Sequence, residues 1–229
     1  MDVNKKNEVK IIKENFNTYD YSNALRKNKK VNKKKYVIYI DNGAPYFSGD
    51  AGLKGEKSYE GDIKKHYSEL NNFFNKIENI FKTKVIVIPH PKYKSHSPKI
   101  KSLNPYFNKR KVDNSYNALA KLSPNCFFFI NKHSTAISYP IIFNKPVIHI
   151  FSSNYNYQRE EWQSLLYLAK IIGQKPIDIV NFKNNEIFKN LKIDKKKYEW
   201  FKYNFLTPKD KSILKTSNYE ILNKLTNIY

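Results

Sequence analysis

The stretch Asn125–Phe151, NCFFFINKHSTAISYPIIFNKPVIHIF, decides the fold of this chain. It reads as a buried strand over Cys126–Ile130, a polar turn carrying His133, Ser134 and Thr135, a short helix, and a second buried strand over Pro146–Ile150. Short continuous apolar runs bounded by turn residues suit strands covered on both faces, and the helical piece between them is short enough to be a crossover. The unit predicted is βαβ with parallel strands. Within it Ser134 and Thr135 stand where the first strand has ended and the helix begins, so hydroxyls and the first free N–H groups reach beyond the carboxyl edge of the sheet. Open α/β sheets take their ligands at that edge, and a helix N-terminus favours phosphate. Ser134 as an ordinary N-cap is the competing reading, and the stretch alone leaves both open.

Upstream, Tyr36–Ile40 (YVIYI) is a short strand that delivers Asp41-Asn42-Gly43 to its carboxyl end. The loop that follows holds Gly43, Gly49, Gly52, Gly55 and Gly61, five of the six glycines in the chain. Such a concentration calls for a backbone that bends freely or approaches a ligand closely, with a disordered insertion as the alternative. From Asp62 to Phe81 the residues Ile63, Tyr67, Leu70, Phe74, Ile77 and Phe81 form one apolar stripe at helical period. His66, beside that stripe, reads as a surface or packing histidine rather than a ligand. Lys84–Ile88 is the next strand and ends at once in Pro89-His90-Pro91. The prolines hold the backbone on both sides of His90 and stop a helix from starting there. If the strands run parallel, an acid (Asp41), an imidazole (His90) and a phosphate-suited turn (Ser134, Thr135) converge on one crevice.

The remaining segments frame this unit. Residues 1–35 are polar and lysine-rich and read as a basic arm or linker, leaving residues 36–229 as one Rossmann-like domain. Residues 92–111 form a basic loop that could cover a polyanionic substrate, although a solvated loop is the simpler reading. Asn114–Leu122 reads as a short helix, Arg159–Ile172 as an amphipathic helix capped by Gly173, and Lys175–Val180 as a weak last strand. Helical patterning continues from Asn184 to the C-terminus. The fold class expected is α/β, a Rossmann-like parallel sheet with flanking helices.

Composition narrows the functional classes. The net charge is +22, yet only three of the 42 basic residues, Arg26, Arg110 and Arg159, are arginine, and the lysines are spread along the chain. Bidentate recognition of bases and phosphates prefers arginine, so nucleic acid is the less favoured partner. The bias fits an A+T-rich coding sequence, with peripheral contact to an anionic membrane surface as the alternative use of the charge. A single cysteine, Cys126, inside an apolar run argues for a reducing compartment. No signal peptide or membrane-length apolar run is recognised, so the expected location is cytoplasmic, with peripheral attachment at the inner face of the membrane as a variant. No metal-spaced Cys/His set, P-loop or GxGxxG is present, and no metal site or bound cofactor is expected.

Taken in order, strand–DNG, strand–HP and strand–HST–helix–KPV resemble the nucleotide-binding region of bacterial GT-B glycosyltransferases, in particular the lipooligosaccharide sialyltransferases and polysialyltransferases. Asp41-Asn42-Gly43 matches the first and third positions of an acidic D/E-D/E-G motif, His90-Pro91 matches an HP motif, and Ser134-Thr135 corresponds to a Ser/Thr pair. The resemblance spans about Tyr36 to Val180 and amounts to one GT-B half. It implies a transferase working on a nucleotide-sugar donor, a CMP-activated acid sugar such as sialic acid or Kdo, and a surface polysaccharide or lipopolysaccharide acceptor. It implies Asp41 as general base, His90 as the group assisting the leaving phosphate, and Gly43, Pro91, His133, Ser134 and Thr135 in binding. One half alone implies that a second chain completes the cleft, or that the protein is a non-catalytic remnant or binding subunit. A lysine-rich nucleic-acid-binding protein is the third reading; it requires charge clustered on one face.

Overall fold

The computed structural model of the chain describes residues 19, 36–43, 62–91, 105–155, 157, 159–209 and 217–220. The basic arm apart from Tyr19, most of the glycine-rich loop (44–61), the first part of the basic loop (92–104) and the terminal helix expected beyond 220 lie outside these residues. The elements are β1 (Tyr36–Ile40), α1 (Ile63–Phe81), β2 (Lys84–Ile88), α2 (Ala118–Leu122), β3 (Phe129–Asn131), α3 (Ser138–Ile142), β4 (Val147–Phe151), α4 (Arg159–Ile171), β5 (Ile177–Asp178), α5 (Asn184–Asn190) and α6 (Lys195–Phe201).

All five strands pair in parallel, in the spatial order β2-β1-β3-β4-β5. This is the Rossmann-like α/β sheet expected from the strand–helix alternation. From β1 the chain moves outward to β2, then returns past β1 to β3 and continues the other way. Connections of one hand therefore place α1 on one face and the later crossovers on the other. The two cores follow this division. On the α1 face Val37, Tyr39, Val87, Ile130 and Ile148 pack with Tyr67, Leu70, Phe73, Phe74 and Ile77. On the other, Ile38, Ile40, Ile86, Phe129 and Val147 pack with Ala118, Ile141, Ile142, Tyr198 and Phe201. Burial on both faces explains why the strands carry unbroken apolar runs. Tyr19 is buried in the second core, with the Lys202 ammonium 5.5 Å from its ring centroid.

Helix α1 starts where Asp62 accepts from the amides of Lys64 (2.8 Å) and Lys65 (3.3 Å), and it ends at Lys82, whose φ of 48° is left-handed. Strand β3 begins three residues later than the apolar run suggests. Ser123–Asn125, containing Pro124, form a 3-10 turn, and Cys126–Phe128 serve as entry to the strand: the Phe127 amide donates to the Tyr36 carbonyl at 2.7 Å and Phe128 accepts from Ile38 at 3.2 Å. Similarly β4 runs Val147–Phe151, one residue beyond the expected span, because Pro146 supplies only its carbonyl, to the Phe129 amide.

The outer edge of β2 is covered by the connection leading to α2. The Val87 amide donates to the Lys111 carbonyl and the Asp113 amide to the Val87 carbonyl, each at 2.9 Å, so the edge strand is not left open. Arg110 pins this connection to α1. It donates to Glu78 Oε2 (2.9 Å) and Oε1 (3.3 Å), Asn71 Oδ1 (2.7 Å), Asn75 Oδ1 (2.5 Å) and the Phe107 carbonyl (3.3 Å). Among the described residues no helix is long and apolar enough to cross a membrane.

Candidate functional site

In an open parallel sheet the ligand crevice lies beyond the carboxyl ends of the two strands where the order reverses. Here those strands are β1 and β3. Their register pairs Ile40 with Asn131, so the next residues along, Asp41 and Lys132, lie side by side across the switch point. The pleat decides where they face. Tyr39 and Ile130 belong to the α1 face, and the residues two further on repeat that direction. The sheet thus ends, on its α1 face, in an acid beside a base.

Both are out of water: Asp41 is 3% and Lys132 2% exposed. The Tyr39 hydroxyl donates to Asp41 Oδ1 over a long 3.4 Å, while Oδ2 is buried with no hydrogen-bond partner. Lys132 Nζ lies 3.4 Å from Nε2 of His66, in the first turns of α1, and 5.6 Å from the Tyr155 ring centroid. An ammonium can only donate, so Nε2 accepts and His66 carries its proton on Nδ1.

Burial dominates the ionisation of this group. It pushes the Asp41 carboxyl up to about 6, against the opposing pull of the Lys132 charge and of hydrogen bonds from the Gly43 and Asn42 amides and Tyr39. It pushes Lys132 down to about 8, against Asp41 and Glu161. His66 is driven down to about 2 by burial and then by Lys132, so its ring is neutral. At pH 7 the pair is therefore carboxylate and ammonium, each within about one unit of its midpoint. This is the range in which a side chain exchanges protons with a reacting group effectively.

A second rung lies one residue further along. Asn42 Nδ2 is 3.1 Å from His133 Nε2, so the imidazole accepts from the amide. Glu161, in the first turn of α4, comes to 4.0 Å from the same nitrogen. The contact is not an ion pair at neutral pH, because burial, and then Lys132, hold His133 down at about 4.

Ser134 does what an N-cap does: its hydroxyl accepts from the Ala136 amide at 3.2 Å and opens a 3-10 turn, Thr135–Ile137, which leads into the five-residue α3. The Ser134 amide donates to Asn131 Oδ1 (3.3 Å), and its carbonyl accepts from Asn131 Nδ2 (3.2 Å). The same Nδ2 is 3.5 Å from Nε2 of His149, a fully buried residue of β4. Asn131 and His149 thus hold the turn, and part of the donor capacity that a phosphate would use is taken by Asn131. Thr135 is exposed.

His90 stands half-buried after β2, on the other side of β1 from β3, with Pro91 exposed next to it. The parallel sheet brings Asp41, His90, His133 and Ser134 to one edge. Gly43 has φ 81°, a conformation that side chains with a Cβ adopt only with strain, and its amide serves the Asp41 carboxyl. The sequence reading missed Lys132 and Asn131 and undervalued His66, which is buried (3% exposed) in contact with the lysine. The available signal was Asn131-Lys132-His133 directly after an apolar strand. A further polar cluster caps β4, where Glu69 accepts from Ser152 Oγ and Asn154 Nδ2, each at 2.7 Å. At the opposite, amino edge of the sheet a cleft of about 510 Å³ is lined by Asn75, Glu78, Asn79, Lys82, Thr83 and Lys84. Among the described residues no three His, Cys, Asp or Glu side chains are grouped to hold a metal ion.

No protein-family model matches the chain, and no curated protein matches it. Among solved structures it is similar to the UDP-GlcNAc 2-epimerase from Methanocaldococcus jannaschii, with a TM-score of 0.38 and 10% identity over 91% of this chain and 49% of that one. The chain spans about half the length of that protein.

Proposed function

We propose that the protein is a glycosyltransferase, or the donor-binding half of one, that takes a nucleotide-activated sugar at the carboxyl edge of β1 and β3. The observation that carries this reading is the Asp41 carboxyl, buried at the switch point with one oxygen lacking a hydrogen-bond partner and with its pKa brought near neutrality. A structural carboxylate is normally satisfied; one held like this suits a general base that takes a proton from an acceptor hydroxyl. Glycosyl transfer also needs charge neutralisation on the departing phosphate, and His90 and the Ser134–Thr135 turn stand at the same edge. The strand–DNG, strand–HP and strand–HST order favours a CMP-activated acid sugar, sialic acid or Kdo, and a surface polysaccharide or lipopolysaccharide acceptor.

The reading is tested by thermal-shift titration with CMP, CDP, UDP and GDP, followed by turnover of the donor that binds. A ligand that binds only the native state raises stability with the logarithm of its concentration over its dissociation constant. A CMP-selective shift that His90→Ala abolishes is expected. Asp41→Asn should retain that shift and lower turnover by roughly 10²–10⁴-fold, the range for a lost general base. A UDP- or GDP-selective shift would change the donor. Binding without turnover in the parent protein would make it a binding subunit, and no shift with any nucleotide would overturn the proposal.

A further inference from the structure

We propose that Lys132 is a positioning residue for Asp41: its buried ammonium, oriented by His66, keeps the neighbouring carboxyl in the ionised form inside the sheet edge. Three observations carry this. The β1–β3 register sets Asp41 and Lys132 on neighbouring strands at the same level and on the same face, which no rotamer change can undo. Across that register each charge favours the ionised form of the other, and the lysine is the largest influence opposing burial at Asp41. Finally, the ammonium is held rather than free to swing: Nζ donates to His66 Nε2 at 3.4 Å and lies over the Tyr155 ring at 5.6 Å.

Among the described residues, the groups facing the pair offer hydrogen bonds to Asp41 but no second positive charge. Facing Lys132 are Asp41 from β1, His66 from α1, Tyr155 from the loop after β4, His133 next to it in sequence and Glu161 from α4. Facing Asp41 are Tyr39 and Lys132, with Tyr67 and Tyr157 in the field of the Tyr39 hydroxyl. Both imidazoles are neutral at pH 7, and the tyrosine hydroxyls carry no positive charge. In this set Lys132 is the one cation. Burial favours the protonated form of Asp41, and a protonated acid cannot accept the acceptor's proton. The lysine is the largest of the influences that oppose burial, ahead of the Gly43 and Asn42 amides and the Tyr39 hydroxyl.

The inference rests on the donor-transfer reading only for the use made of the carboxylate; the ionisation itself is read without any donor. The experiment is a carbon-detected NMR pH titration of the aspartate side-chain carboxyls in the full chain, wild type and Lys132→Met, with Asp41→Asn assigning the resonance. Loss of the ammonium is expected to raise the Asp41 midpoint by about one pH unit or more. A midpoint that stays put overturns the proposal, because a merely structural lysine would leave it unmoved. If Lys132→Met does not fold, the wild-type protein decides: the Lys132 ζ-nitrogen resonance should step at the Asp41 midpoint, and a lysine resonance flat through that range overturns the coupling. Failure here would leave nucleotide binding and turnover untouched, so the two readings fail separately.

Discussion

Helix α1 carries a buried charged cluster at each end, and the two are built to opposite specifications. Near its C-terminal end, where β2 begins, Arg110 spends every guanidinium nitrogen on Glu78, Asn71, Asn75 and the Phe107 carbonyl, and Glu78 also accepts from the Val85 amide at 2.9 Å. Near its N-terminal end, His66 reaches Lys132, whose neighbour across the β1–β3 register, Asp41, has one carboxylate oxygen without a hydrogen-bond partner. The first cluster is a fully connected lock between the β2–α2 connection and α1. The second leaves hydrogen-bonding capacity unused and two pKa values displaced towards each other, at a cost in stability that only a function would justify.

The contrast is sharpened first by Arg110→Ala. Removing one partner of a satisfied buried pair leaves Glu78 uncompensated and frees the edge of β2. The expected loss is about 3–5 kcal/mol in urea denaturation, the largest effect of any single substitution proposed for this protein. A loss below about 1 kcal/mol would mean that the network is not a lock. The nucleotide-induced thermal shift of the surviving folded fraction should be unchanged.

The double replacement Asp41→Asn with Lys132→Met is expected to act the other way. Exchanging a poorly satisfied buried pair for neutral groups of similar volume should leave stability unchanged or raise it by about 1–4 kcal/mol, while donor turnover is lost. A penalty as large as that of Arg110→Ala would erase the distinction between the two clusters. The pH dependence shows which group is responsible. The native Asp41 pKa of about 6 lies above the ordinary value of 3.8, so the carboxyl's contribution is present below pH 4 and lost as pH rises to 6. The Lys132 pKa of about 8 lies below 10.5, so the penalty of its buried charge is relieved as pH rises from 8 to 10.5. The gap between variant and wild type should therefore open over pH 4–6 and close over pH 8–10.5. His66, His133 and His149, all held below 6.5, weaken both proteins in acid and largely cancel in that difference.

The smallest expected effect separates the two readings of Ser134. As an N-cap it is worth about 1 kcal/mol, and Ser134→Ala should lower the melting midpoint accordingly. If the nucleotide-induced shift also falls, the turn holds phosphate as well; an unchanged shift would limit Ser134 to capping.

Much of this architecture was legible in the residues. Apolar runs such as Tyr36–Ile40 mark strands buried on both faces, and the stripe through Tyr67, Leu70, Phe74 and Ile77 marks α1, because period and burial are local properties of a sequence. Polar residues placed directly after strands, Asp41, His90 and Ser134, mark the carboxyl edge for the same reason. Strand limits were less legible. An apolar run does not say where a 3-10 turn such as Ser123–Asn125 hands over to a ladder, and so β3 starts at Phe129. His66 looked like a packing residue because an imidazole beside a helical stripe has no local mark of what lies across from it.

What the sequence determined by itself is therefore the parallel α/β fold and the residues that terminate its strands, since both follow from patterns within a few turns of chain. Which terminal residues meet was decided only by tertiary structure. Strand order and register are cooperative, long-range choices, made by the packing of α1 and α5 on one face and of α2, α3, α4 and α6 on the other. Those choices set Asp41 beside Lys132, 91 positions away in sequence, and bring His66 over the lysine. Burial then moved their ionisation, because the energy of a charge depends on the solvent it has lost and on the neighbours that replace it.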